Sequence, residues 1–222
     1  MLIVSIDTSG RDGSVALCRG DAATFEVLGQ SALEGGTYST RLVPCIGEIL
    51  DAAALAKSQI GAFVVVDGPG SFTGLRVGIS TVKALCEALH KPLAAVSMLE
   101  ALALTYGREG EPFTVLLDAG RGEVYAGEYS ITGSRAYLVQ ESIFKLTDFG
   151  DRSLALRSRV ITTSAKIVEL LGASAALVEP LHADAIARIA LGKLIAGETA
   201  DPATLDANYI RRSDAELFSS PK

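Results

Sequence analysis

Tryptophan is absent from this 222-residue chain, and histidine occurs only twice, as His90 and His182. The two lie far apart, each at the edge of an expected helix, so no histidine pair is available to hold a metal. No Gly-x-Ser-x-Gly nucleophile elbow exists either. Cys18, Cys45 and Cys86 are too widely spaced for a zinc pattern and too few for an even disulfide framework, so they are expected to be reduced structural thiols. No apolar run approaches the roughly 18 residues that span a bilayer. Met1 leads straight into a strand-like run, with no basic leader before it. Secretion and membrane insertion are disfavoured, and a soluble cytoplasmic chain is expected. The longest basic run is Arg211-Arg212, and the net charge is -6. Phosphate contacts dominate nucleic-acid affinity, so a free-standing nucleic-acid binder fits poorly.

What is present is aliphatic. Almost half of the residues are hydrophobic and only 6% are aromatic, so any core is built from Leu, Ile, Val and Ala. The length allows one large domain or two lobes of about 100 residues each. Leu2–Ile6, Ser14–Leu17 and Thr24–Leu28 read as a β-meander broken by Asp7–Gly10 and Gly20-Asp21. A helix is expected over Thr40–Leu55, with Thr40 as N-cap, so that Pro44 falls in its first turn. Ala62–Val66 is a buried strand by its continuous apolar run. The stripe Phe72, Leu75, Ile79, Val82, Cys86 and Leu89 then predicts a helix ended by Pro92. Leu93–Val96 predicts a strand, and Ser97 is a natural N-cap for a helix through Tyr106. The second half offers strands at Phe113–Leu117, Val124–Tyr129 and Tyr137–Ile143, and helices at Lys166–Leu171 and Ala183–Ile195.

The halves resemble each other. Val4–Asp7, a small-residue turn and Ser14–Ala16 match Val115–Asp118, a turn and Glu123–Tyr125, about half the chain further on. A repeat of this length suggests a duplicated lobe rather than a solenoid. A strand ending in Asp and a small-residue turn can receive a phosphate and, through water, magnesium. It can equally be a tight hairpin. Gly68-Pro69-Gly70-Ser71-Phe72-Thr73-Gly74 is neither a P-loop nor a dinucleotide fingerprint. It sets hydroxyls before a helix N-terminus, which suits an anion, or it is a tight strand-to-helix crossing capped by Ser71 or Thr73. Gly74, Gly78, Thr81, Ala84 and Ala88 give that helix a second face of small residues. Such a face suits close packing within the chain or against another subunit.

Taken together, Asp7-Thr8-Ser9, the Gly68–Gly78 run, Ser97–Leu102 and Gly122–Tyr125 stand in the order seen in the TsaB family, also called YeaZ. Asn208–Arg211 resembles its C-terminal signature. The resemblance covers nearly the whole chain and is strongest over Asp67–Leu104. It implies the α/β actin-like ATPase (ribonuclease H-like) fold, with two related lobes, each a mixed sheet flanked by helices. The lobes are expected at 1–106 and 107–222, with a late helix able to pack back on the first. The paralogue TsaD carries a His-Leu-Glu-x-His metal motif. Aligned on Leu99-Glu100, this chain has Met98 and Leu102 at the two histidine positions. A thioether and an alkyl chain cannot replace two imidazoles. The resemblance therefore implies a chain with no catalytic or metal-binding residues of its own, and counts against peptidase activity. One departure is that Gly120 and Arg121 stand where the family often reads Arg-Met.

The first expectation is a non-catalytic subunit of the machinery that makes N6-threonylcarbamoyladenosine beside the tRNA anticodon. It would work with a TsaD-like catalytic paralogue and a TsaE-like ATPase, meet tRNA only through the complex, and be able to form a homodimer. The interface would use Leu42, Ile46, Gly74, Gly78, Thr81, Ala84 and Ala88. No cofactor is required, and weak ATP or ADP binding would fall to Asp7, Thr8, Gly68, Gly70 and Asp118. The alternative is an active small-molecule kinase or ATPase of the same superfold.

Overall fold

A computed structural model describes residues 1–148 and 159–210. The chain divides into two compact units. The first holds Met1–Met98 and Leu181–Ala207, and the second holds Leu99–Pro180 and the chain from Asn208. The crossing thus lies between Met98 and Leu99 rather than after Tyr106, and the last helix belongs to the first unit.

In the first unit, β1 (Leu2–Asp7), β2 (Gly13–Gly20) and β3 (Phe25–Leu33) form an antiparallel meander. β4 (Ala62–Gly68) and β5 (Leu93–Ser97) then run parallel to β1, giving the order β3-β2-β1-β4-β5. β1 is buried throughout, which accounts for its largely apolar sequence, broken only by Ser5 before Asp7: a central strand covered on both faces needs no polar alternation. Helices α1 (Tyr38–Ala52) and α2 (Phe72–Leu89) make the crossovers. The last helix, α5 (Ala183–Ile195), packs on β1 and β2. Its first turn is tied down where the Ala183 N–H donates to Ser14 Oγ at 2.9 Å.

Two expectations about these helices need correction. The N-cap of α1 is Thr37, not Thr40, and it makes no side-chain cap bond. Pro44 therefore lies inside the helix, where its nitrogen cannot donate to the Thr40 carbonyl. Leu42, Cys45, Ile46, Ile49 and Leu50 are nevertheless buried, so packing of the apolar face outweighs the lost bond. In α2 the stripe Leu75, Ile79, Val82 and Cys86 is buried, but Phe72 is 40% exposed at the first turn. Its ring is covered by the Arg76 guanidinium, 3.8 Å from the centroid, one helical turn on. His90 closes α2 in the left-handed conformation, with φ 51°.

The second unit repeats the design. β6 (Phe113–Gly120), β7 (Glu123–Thr132) and β8 (Arg135–Lys145) are antiparallel, and β9 (Arg159–Thr162) and β10 (Ala175–Leu177) run parallel to β6. The order β8-β7-β6-β9-β10 is that of the first sheet, strand for strand. This confirms the repeat read from the two Asp turns and establishes the actin-like, ribonuclease H-like pattern in both halves. α3 (Met98–Tyr106) begins at the crossing, and α4 (Ala165–Leu171) joins β9 to β10. The core gathers Leu116, Val124, Ala126, Leu146, Val160 and Ile167. No helix among the described residues is long and apolar enough to cross a membrane.

Candidate functional site

Asp7 ends β1 and is buried. Its Oδ1 accepts the Ser9 N–H at 2.8 Å and the Ser9 hydroxyl at 2.6 Å. This is an Asx turn, in which a carboxylate bonds the backbone two residues on. Burial pushes the Asp7 carboxyl above its ordinary value, and the Ser9 bonds and the nearby His182 oppose part of that rise.

Thr8 is fully buried, and its hydroxyl donates to the Gly74 carbonyl at 2.8 Å. A Cβ on Gly74 would collide with the Thr8 carbonyl oxygen, and one on Gly78 with the Thr8 hydroxyl. A Cβ on Gly70 would come within 2.8 Å of the Ser9 Cβ. The Ser9 carbonyl accepts the Ser71 N–H at 2.7 Å, while Ser71 Oγ caps α2 by accepting the Gly74 N–H at 3.2 Å. The glycine-rich run thus lets the start of α2 lie directly on the Asp7–Ser9 turn.

Three donors of that turn are already engaged. The Ser9 N–H and hydroxyl go to Asp7, and the Thr8 hydroxyl goes to Gly74. A phosphate at this turn would have to displace bonds already made. In the second unit the corresponding Asp118 makes the same local bond, Oδ1 accepting the Gly120 N–H at 2.7 Å. That turn runs through left-handed backbone at Gly120 (φ 72°), Arg121 (φ 55°) and Gly122 (φ 79°). A glycine at 120, where the family often has Arg, is the residue this conformation favours.

Beside the first turn lies an open cavity of about 400 Å³, lined by Arg11, Asp12, Glu34, Tyr38, Ser39, Ser71, Thr73 and Val77 among others. It opens at the N-terminal ends of both α1 and α2. The Tyr38 hydroxyl, lying 3.1 Å from the Gly10 carbonyl and 2.9 Å from that of Arg11, fixes the β1–β2 hairpin to α1. Burial, with the charges of Asp7 and Asp12, pushes the Tyr38 phenol up to about 12. The residues alone did not single out Tyr38, and pointed to Ser9 only as part of the Asp7-Thr8-Ser9 run. The only signal was Gly13, whose missing side chain leaves room for the Tyr38 ring 3.0 Å from an ideal Cβ.

The expected sites are divided by the structure. Asp7, Thr8, Gly68 and Gly70 come together with α2 in the first unit, and Asp118 belongs to the second. Of the expected interface residues, Leu42, Ile46, Gly74 and Gly78 are buried inside the first unit, the glycines against Thr8. Their small size serves internal packing, which corrects that part of the expectation. Thr81 is half-buried, and Ala84 and Ala88 are exposed. Met98 and Leu102 are core residues, 8% and 0% exposed. Among the described residues no group of three or more His, Cys, Asp or Glu is placed to hold a metal ion. Arg211 of the C-terminal signature lies outside the described residues.

Comparison with known proteins agrees with these features. A family model described as TsaD, tRNA N6-adenosine threonylcarbamoyltransferase, matches residues 35–169, more than half of the chain. The tRNA threonylcarbamoyladenosine biosynthesis protein TsaB of Bacillus subtilis is 35% identical over 129 residues, covering 58% of this chain and 55% of that protein. TsaB of Escherichia coli is 34% identical over 133 residues, again 58% and 55%. The chain spans about half the length of these curated relatives. YeaZ from Pseudomonas aeruginosa superposes with a TM-score of 0.72 at 27% identity, over 94% of this chain and 99% of that one. A second structure, described as similar to peptidase YEAZ from that organism, superposes at 0.76 and 26% identity, over 95% and 99%. The motifs, the doubled sheet order and these matches lead to one assignment: the chain belongs to the TsaB (YeaZ) family.

Proposed function

We propose that this chain is a non-catalytic partner subunit in the cytoplasmic synthesis of N6-threonylcarbamoyladenosine in tRNA, and that it docks a TsaD-like paralogue through α1 and α2. The observation that carries the reading is the outer face of α2. Val77, Thr81, Ala84 and Ala88 follow one another at helical spacing, with the two alanines exposed. On α1, Val43 is 55% exposed, and the Cβ position of Gly47 has open space around it. Small residues with a protruding valine suit close helix-to-helix approach, where an apolar surface of this kind marks an interaction site.

The paralogue supplies the metal chemistry, because Met98 and Leu102 are buried side chains that cannot take the place of two histidine ligands. A TsaE-like ATPase completes the assembly, tRNA is met through the complex, and a second copy of the chain uses the same face when the paralogue is absent. Nucleotide is not required. The self-bonded Asp7–Ser9 turn supports at most weak ATP or ADP binding.

The test is co-purification with the TsaD-like paralogue of the source cell. Ala84→Arg and Ala88→Glu should each abolish capture while the chain keeps its circular dichroism spectrum and melting temperature. Capture undiminished in both would remove this face from the interface. Calorimetry with ATP and magnesium tests the kinase or ATPase alternative, since tight binding with hydrolysis by the isolated chain would establish that reading instead.

A further inference from the structure

The last residues of the first unit, Ala200–Ala207, form a strap held by very few groups. The Ala200 N–H donates to the Leu93 carbonyl at 2.8 Å, at the start of the terminal strand β5. Asp201 then organises a tight turn. Its Oδ1 accepts the Ala203 N–H at 2.9 Å, and its carbonyl accepts the Leu205 N–H at 2.9 Å. The open end of that turn is capped by a residue more than a hundred positions earlier. Lys83 Nζ, on α2, donates to the Leu205 carbonyl at 2.9 Å and reaches the Ala203 carbonyl at 3.4 Å. Half of the strap is exposed, three residues are half-buried, and only Ala207 is buried.

A segment that buries so little apolar surface has low local stability, so its polar ties decide whether it stays in place. A hydrogen bond from a charged ammonium is stronger than one between neutral groups, and here one ammonium serves two carbonyls. Lys83 also immediately precedes Ala84 on α2. We infer that Lys83 is a charge-dependent latch, which clamps the Ala200–Ala207 strap along α2 and thereby frames the docking face. Loss of the ammonium releases the strap. The coupling to docking rests on the partner-subunit reading; the latch itself does not.

Hydrogen exchange on the full chain tests it, with Lys83→Met and Lys83→Arg as the pair. In Lys83→Met the amides of Ala203, Thr204 and Leu205 should exchange about tenfold faster, while those of β1 and β4 keep their protection. Lys83→Arg, which keeps a cation, should restore much of that protection. Unchanged strap exchange in Lys83→Met overturns the latch. Capture of the TsaD-like paralogue should fall several-fold in Lys83→Met and recover in Lys83→Arg. Faster strap exchange with undiminished capture overturns the coupling. The Ala84→Arg and Ala88→Glu variants report separately on the docking face, so failure of that reading is seen independently of the latch.

Discussion

Thr8 fills the space that a side chain at Gly78 would need, and its hydroxyl is at the same time bonded to the Gly74 carbonyl one turn earlier. Two glycines and one threonine therefore act as a unit. An alanine within a helix is ordinarily better than glycine by about 1 kcal/mol. At Gly78 the sign should reverse: Gly78→Ala should lower stability by roughly 1–3 kcal/mol through overpacking. Thr8→Ala in the same chain should recover part of that loss, because the obstructing atom is the Thr8 hydroxyl. Gly74→Ala should not be rescued this way, because there the obstruction is backbone. Urea denaturation of the three single variants and of the two double variants carrying Thr8→Ala checks both statements, and additive losses for Thr8→Ala and Gly78→Ala would refute the contact.

Asp7 gives a pH signature. Its folded-state carboxyl lies above the ordinary value of 3.8 because of burial. The folded chain then holds a proton that the unfolded chain has released, so this residue lowers stability progressively as pH rises from about 3.8 through the folded value. Asp7→Asn keeps an acceptor for Ser9 and has no charge to bury. It should raise the urea midpoint at pH 7, with the gain vanishing as pH falls below the ordinary carboxyl value.

Tyr38 should titrate late, at about 12. The phenol is favoured neutral in the fold, so its contribution is intact below about pH 10 and is lost as pH rises towards 12. Ultraviolet titration should show a phenolate forming near pH 12 that Tyr38→Phe removes. The variant should also cost about 1 kcal/mol, the usual worth of one such hydrogen bond.

The three cysteines are buried and free, and burial pushes Cys18 up to about 12 and Cys86 up to about 11. Thiolate is the reactive form, so the native chain should be unreactive towards a disulfide reagent at pH 8. All three thiols should react in urea. Rapid labelling of Cys18 in the native chain would contradict its placement on β2.

Much of this architecture was legible in the residues, for identifiable reasons. α2 runs over Phe72–Leu89 because a long three-and-four spacing, a Ser cap and a closing Pro92 all point the same way. The repeat was visible because both halves end a strand in Asp followed by a turn. β9 and β10 were missed because four and three residues carry too little periodicity to be seen. The start of α1 was misplaced because Pro44 is usually found in a first turn, whereas here tertiary burial holds it further in. The small residues of α2 were read as a single face. Spacing alone does not tell that Thr8 already fills the part at Gly74 and Gly78 and leaves Ala84 and Ala88 open.

Asp7 and Asp118 each bond the amide two residues on, in sheets of the same strand order. Such a turn is needed simply to bring an antiparallel hairpin out of the central strand. Selection for the hairpin alone can therefore keep the aspartate, whether or not a ligand binds beside it. An aspartate at this place is thus a mark of how the hairpin starts, and by itself no sign of a nucleotide.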